Sequence, residues 1–238
     1  RAWIAAEGLR PLSKARLDDL LRQVRETHSD ATFSFHVQRK EIRRWGSDII
    51  VRDAVTRRLG VERDAALSPS EGAHEIALPQ WGGVIEMVPC MGDEDGIARS
   101  RVTAPEAKLE VRAAVGAVKL KLWALRPGKA LKDLYAQAGI PAYVRVDMPK
   151  LWLNNELLFA AGLGMDVRFA DDPAKYPDRV KFLWRPDRSL WDARPMPNYA
   201  ELPEAERRLR EARVREAAKS SLKLRESIAR ERSAEKNR

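Results

Sequence analysis

The sequence predicts an α+β protein: a small helical segment with a hairpin, then a mixed α/β domain with a helix packed on short strands, then a polar helical or disordered tail. Three observations lead there. Leu17, Leu20, Leu21 and Val24 recur at helical spacing, Phe33, Phe35 and Val37 alternate as in a strand, and residues 131–163 combine an amphipathic helix with an apolar hairpin.

In RPLSKARLDDLLRQVRET, Pro11 and Ser13 supply a helix start. Trp3, Ile4 and Leu9 precede it and are expected to pack on the same apolar stripe. After HSDA the period changes to two. Ile49 to Val51 form a second apolar run, so a hairpin-like pair is expected, with Gly46 in its turn. Residues 54–114 carry weaker signals. LSPSEG and PCMGDEDGIARS read as loops, and HEIALPQWGGVIEMV as short strands around Gly82-Gly83. AKLEVRAAVGAVKLKLWALRPGKA continues with alternating strand material.

In ALKDLYAQAGIPAY, Leu131, Leu134, Tyr135 and Ala138 form one helical face. Gly139 takes the C-terminal cap position and Pro141 prevents continuation. KLWLNNELLFAAGLG then gives two strands around Asn154-Asn155, residues that tolerate the left-handed conformation of a tight turn. Beyond VKFLWRP, Pro195, Pro197 and Pro203 introduce an Arg/Glu/Ala run. Leu202, Ala205, Leu209 and Ala212 have helical spacing there before the stripe thins.

Composition narrows the function. The 238 residues carry 44 Lys plus Arg against 35 Asp plus Glu, a net charge of +9, which favours an anionic partner such as nucleic acid or an acidic membrane surface. One cysteine, Cys90, excludes an intrachain disulfide and a thiolate zinc site, and three scattered histidines offer no ligand spacing. A reducing compartment is expected. No run is long and apolar enough for a membrane span, and no secretory leader is seen. The chain opens on Arg1 rather than Met, as a piece of a longer protein would.

No motif carries a nucleophile or an acid/base pair. Cys90 reads as a small buried residue, since no histidine is near it in sequence. GDEDG (92–96) lacks the spacing of a calcium loop and reads as a solvated turn. Trp81, Trp123, Trp152, Trp184 and Trp191 could stack on bases, but strand contexts favour burial. The informative feature is positive charge. Lys119, Lys121, Arg126, Lys129 and Lys132 follow one another with no acid until Asp133. With the apolar helix face buried, Lys129 and Lys132 are expected to project one turn apart on the other side.

At these residues a family resemblance enters. GKALKDLYAQAGIPAYVRVDMPKLWLNNELLFAAGLGMDVRF resembles the C-terminal domain of bacterial tRNA(Ile)-lysidine synthases. The shared pattern falls at Gly128, Leu131-Lys132, Gly139-Ile140-Pro141, Arg145, Pro149-Lys150-Leu151 and Ala161-Gly162-Leu163. Departures are Ala142-Tyr143 in place of Pro-Trp, Asp133 in place of a second Lys, and Lys150 within Pro-Leu-Leu. A second stretch, RAWIAAEGLRPLSKARLDDLLRQV followed by EIRRWGSDIIV, resembles the substrate-binding domain of the same enzymes, and VKFLWRPDRSLW resembles the last strand.

The resemblance implies a substrate-binding domain at 1–60, a connecting region at 61–114 and a tRNA-binding C-terminal domain at 115–191, and the charged run at 192–238 lies beyond it as a helical or disordered tail. The resemblance also implies a bacterial, cytoplasmic parent ligase that adenylates C2 of the wobble cytidine in tRNA(Ile) with a CAU anticodon, using ATP with Mg, and then joins lysine there. AUG reading becomes AUA reading. The family's ATP loop, Ser-Gly-Gly-x-Asp-Ser, does not occur in this sequence; its only Gly-Gly pair follows Trp81. No catalytic, cofactor or metal residue is therefore assigned. The expected tRNA contacts are Arg43, Arg44, Lys119, Lys121, Arg126, Lys129, Lys132 and Arg145, set against their simpler reading as solvated surface charge. A stand-alone, non-enzymatic RNA-binding protein built from the same modules is the alternative; a protein-interaction domain with incidental charge is the third.

Overall fold

A computed structural model describes residues 2–26, 33–45, 48–53, 63–113, 118–187, 198–212 and 216. The expected turn at Gly46, Trp191 and most of the charged tail lie outside the described residues. The fold is α+β, and the chain divides into two compact units: residues up to 55 together with those from 204, and residues 56–203.

The first unit opens with α1 (Ala2–Ala6) and α2 (Lys14–Glu26). Ser13 caps α2: its hydroxyl accepts the Arg16 amide at 3.4 Å and its carbonyl the Leu17 amide at 2.9 Å. Three antiparallel strands follow, β1 (Ser34–Val37), β2 (Lys40–Trp45) and β3 (Asp48–Asp53). The expected pair is thus a three-stranded meander in which the charged segment KEIRRW is the central strand. Its alternation is legible once paired: Ile42 faces Phe35 and Val51 across the neighbouring strands. Leu17, Leu20 and Val24 of α2 close on Phe33, Phe35, Val37, Ile42 and Val51, with Ile4, Leu9 and Leu12 completing the core. A 3.6-residue stripe has met a two-residue stripe. Leu21 stays 43% exposed, because it sits one residue, about 100°, round the helix from Leu20. Residues 204–212 form a further helix, α6.

The second unit has two larger antiparallel sheets. One orders β13 (Gly164–Met165), β12 (Glu156–Ala160), β11 (Lys150–Leu153), β8 (Leu109–Arg112) and β4 (Ala65–Leu67). The other orders β5 (Glu75–Leu78), β6 (Gly83–Pro89), β14 (Arg179–Pro186) and β7 (Ile97–Ala98). Residues 63–113 therefore supply strands to both. Phe159 of β12 and Phe182 of β14 meet with ring centroids 5.7 Å apart, so the sheets share a core. A short helix α3 (Arg99–Thr103) follows β7.

Between β8 and β11 the chain makes a two-stranded hairpin, β9 (Lys119–Leu120) and β10 (Lys129–Ala130), then α4 (Leu131–Gln137) and α5 (Ala142–Arg145). Leu131, Leu134, Tyr135 and Ala138 are all buried. Gly139 ends the helix at φ 72°, and Pro141 precedes α5 in extended backbone. Asn154 and Asn155 occupy the β11–β12 turn at φ 51° and 68°, as a type I′ connection requires. Gly162 has φ 77°, and a Cβ there would lie 2.8 Å from Ile140 Cδ1, so the Ala-Gly-Leu close seats α4's exit loop against the sheet.

Candidate nucleic-acid interface

Six of the eight expected contact residues fall on one continuous structure, β9–β10–α4–α5. The register sets Lys119 opposite Ala130 and Leu120 opposite Lys129. Leu120 is buried, so Lys119 faces solvent on the other side of its strand. Lys121 is half-buried and held by its backbone: its amide donates to Asp166 Oδ2 at 3.0 Å, and its carbonyl accepts from the Val167 amide at 2.8 Å. Asp166 is fully buried and is also held by the Arg168 side chain at 2.9 Å.

Lys129 corrects the expected spacing. It lies in β10, not on the helix, because residues 129–130 pair with β9 and the helix begins at Leu131. Lys129 Nζ donates to Gln137 Oε1 at 3.3 Å, which carries its charge alongside α4. Lys132 is exposed in the first turn of α4. Asp133 shares that turn, where a carboxylate favours the positive end of the helix. Its departure from the family pattern therefore has a local physical basis.

Arg145 is tied into the fold. Its Nε donates to the Ile140 carbonyl at 2.7 Å and its Nη1 to the Lys132 carbonyl at 3.3 Å, joining α5 to α4. Arg126 is exposed and its guanidinium lies 5.2 Å from the centroid of Trp123. Among the described residues Lys119, Lys121 and Lys132 have no carboxylate partner. Between Glu110 and Asp133 the chain carries no acid at all. The result is a compact cationic surface on a braced scaffold.

The other two residues belong to the first unit. Arg43 is half-buried on β2: Nη1 donates to the Phe33 carbonyl at 3.1 Å and Nη2 pairs with Glu41 Oε1 at 2.7 Å. Glu41 itself is buried. Arg44, half-buried, points to the opposite face of β2, as its neighbouring position dictates.

The aromatic residues separate. Trp81 and Trp184 are buried, whereas Trp123 and Trp152 are half-exposed and each faces an arginine, Arg126 and Arg112. Sequence patterning missed this pairing because the arginines come from a loop and a neighbouring strand. It also missed Lys150, which is buried beneath α5; position in a strand register, not residue type, put it there.

Neither the Gly-Gly pair nor the 92–96 loop is open to a ligand. A Cβ on Gly83 would lie 2.4 Å from the Arg185 carbonyl oxygen, so the Gly-Gly pair is packed on β14 and cradles no phosphate. In the 92–96 loop, Arg179 donates to the carbonyls of Gly92 and Glu94, which turns those oxygens toward a guanidinium. Among the described residues no His, Cys, Asp or Glu group could hold a metal. Cys90 is buried, which pushes its thiol pKa up. No described helix is long and apolar enough to cross a membrane.

The described residues thus define a braced α+β scaffold that carries a basic surface. Residues 1–49 match the TilS substrate binding domain, and residues 109–184 match the TilS substrate C-terminal domain. The chain belongs to the tRNA(Ile)-lysidine synthase family. It is 32% identical over 171 residues to the tRNA(Ile)-lysidine synthase of Ralstonia nicotianae, covering 70% of this chain and 36% of that protein. The Burkholderia mallei tRNA(Ile)-lysidine synthase is 27% identical over 213 residues, 79% of this chain and 43% of its own. The Azoarcus protein of that name is 29% identical over 170 residues, 70% and 34%. The chain thus spans less than half the length of these relatives.

Proposed function

We propose that this chain is the tRNA-gripping portion of a tRNA(Ile)-lysidine synthase. The observation that carries the reading is the ordered match of two domains, each falling within a separate folded unit. The parent reaction is ligation of lysine to C2 of the wobble cytidine of tRNA(Ile) with a CAU anticodon, in the bacterial cytoplasm. ATP with Mg and lysine would bind outside the residues described here, so no chemical step is assigned to this chain.

Its work is positioning. Lys and Arg contacts to phosphate fix the register and orientation of the RNA while chemistry proceeds elsewhere. Lys119, Lys121, Arg126, Lys129 and Lys132 form the main grip, and Arg44 contributes from the first unit. Arg145 and Arg43 act chiefly by holding the backbone that carries this charge. Filter binding of the cognate tRNA across a salt series tests the grip. A Lys129→Ala/Lys132→Ala variant should bind more weakly, and its slope of log affinity against log salt should be shallower by about 1 to 2. Unchanged affinity together with an unchanged slope would remove both lysines from the interface.

A further inference from the structure

The β9–β10 hairpin ends in a side chain that its fold does not use. Leu125 is 100% exposed. The Arg126 amide donates to the Trp123 carbonyl at 3.1 Å, closing a turn with Ala124 and Leu125 at its corners. This turn is not slack. Its base is pinned at Lys121 by Asp166 and Val167, and Leu122 is buried. Trp123 packs edge-on against Tyr199 at 5.8 Å, and Tyr199 is itself almost wholly buried. Arg126 lies over Trp123.

A single exposed leucine is common on protein surfaces. This one differs in its setting. It stands at the tip of a braced hairpin whose strands carry Lys119 and Lys129, within a stretch free of acids. The surrounding charge selects an anionic partner. Within a nucleic acid the base faces offer the largest flat apolar surface that a leucine can cover, as apolar wedges inserted at base steps do. We propose that the tip Trp123–Arg126 is a base-contacting element, in which Leu125 packs on an exposed nucleobase face while the flanking cations hold phosphate. This rests on the RNA-gripping reading above and adds a base contact to a grip made of charge.

The test compares the intact protein with Leu125→Ser, Leu125→Phe and Lys129→Ala/Lys132→Ala variants. The probes are a blunt RNA duplex, the same duplex with a single-stranded extension, and an unstructured oligonucleotide. Leu125→Ser should lose about 5- to 10-fold in affinity with an unchanged salt slope, because it removes apolar contact and no charge. Leu125→Phe should retain or exceed wild-type affinity, and all Leu125 variants should keep the wild-type Tm. A loss confined to RNA with unpaired residues assigns the contact to an unstacked base; a loss on the blunt duplex as well assigns it to a terminal pair.

Less than a twofold effect of Leu125→Ser on every RNA, with the lysine variant still impaired, overturns the inference and leaves the grip intact. A changed sedimentation profile of Leu125→Ser with unaltered RNA affinity overturns it in favour of a protein contact. Failure of the wild type to bind any RNA at low salt would instead reject the reading beneath it.

Discussion

The ammonium of Lys150 donates a 2.8 Å hydrogen bond to the backbone carbonyl of Arg145. Lys150 is almost wholly buried and its Nζ lies 5.8 Å from the Tyr135 ring centroid, so a charge on β11 braces the end of α5 from below. Burial pushes its pKa from 10.5 down to about 8, against the opposing pull of Asp147. Between those values the unfolded chain holds more protons than the folded chain. Stability from this group therefore rises with pH across about 8 to 10.5, and the full penalty is present below pH 8.

Lys150→Met should accordingly gain roughly 1–3 kcal/mol over wild type at pH 7, less the loss of one donor to the Arg145 carbonyl. By pH 10 the gain should have largely gone, since the folded-state lysine is then neutral. Urea unfolding at both pH values measures it. Equal gains at the two would assign the effect to packing instead of charge.

Arg145 joins the α4 and α5 backbones through Ile140 and Lys132. Arg145→Ala should cost about 1–2 kcal/mol in thermal or urea unfolding. It should also weaken tRNA binding with a smaller change in salt slope than the Lys129→Ala/Lys132→Ala pair. A slope change as large per charge as that of the lysines would make Arg145 a direct phosphate contact.

Asp166 gathers the Lys121 amide, the Arg168 amide and the Arg168 guanidinium on one buried carboxylate. Asp166→Ala leaves those amides without an acceptor at the foot of the basic hairpin. A loss of roughly 2–4 kcal/mol is expected, with faster amide hydrogen exchange at Lys121.

Gly96 has no room for a side chain: an added Cβ would sit 2.3 Å from Cys90 Sγ and 3.2 Å from the Val180 carbonyl oxygen. Gly96→Ala should cost about 1–3 kcal/mol. Adding Cys90→Ala should restore part of it, because the nearest clashing atom is then absent. A double-mutant cycle by urea unfolding that showed simple additivity would place the strain in the backbone contact alone.

Asn155 sits at φ 68° and its Oδ1 accepts from Arg112 Nη1 at 2.7 Å. A β-branched residue is strongly disfavoured there, so Asn155→Val should lower stability by about 1–2 kcal/mol. Asn155→Gly should cost less, since glycine accepts that backbone and loses only the side-chain bond.

Much of the fold was legible because its signals are local. The stripe of α2, the Leu131–Ala138 face, the stop at Gly139-Ile140-Pro141 and the Asn154-Asn155 turn each depend on residues within a few positions of one another. Their conformational preferences act before any distant contact forms. The family pattern in 128–169 is legible for the same reason, and Gly162 shows why one of its glycines is required.

The rest waited on contacts between remote segments. The pairing of β14 with both β6 and β7 joins residues from 81 to 103 positions apart, and no local pattern specifies which strand meets which. Distant partners also divided the cations. Arg43 is turned inward by Phe33 and Glu41, and Lys150 is enclosed under α5, while Lys119 and Lys132 stay in water. A lysine or arginine has the same charge in each place. Whether that charge braces the fold or meets a partner depends on which carbonyls and carboxylates the tertiary structure brings within hydrogen-bond reach. Here the sequence alone determined the α2 and α4 stripes, the Asn154-Asn155 turn and the family pattern, and folding determined which cations remain available.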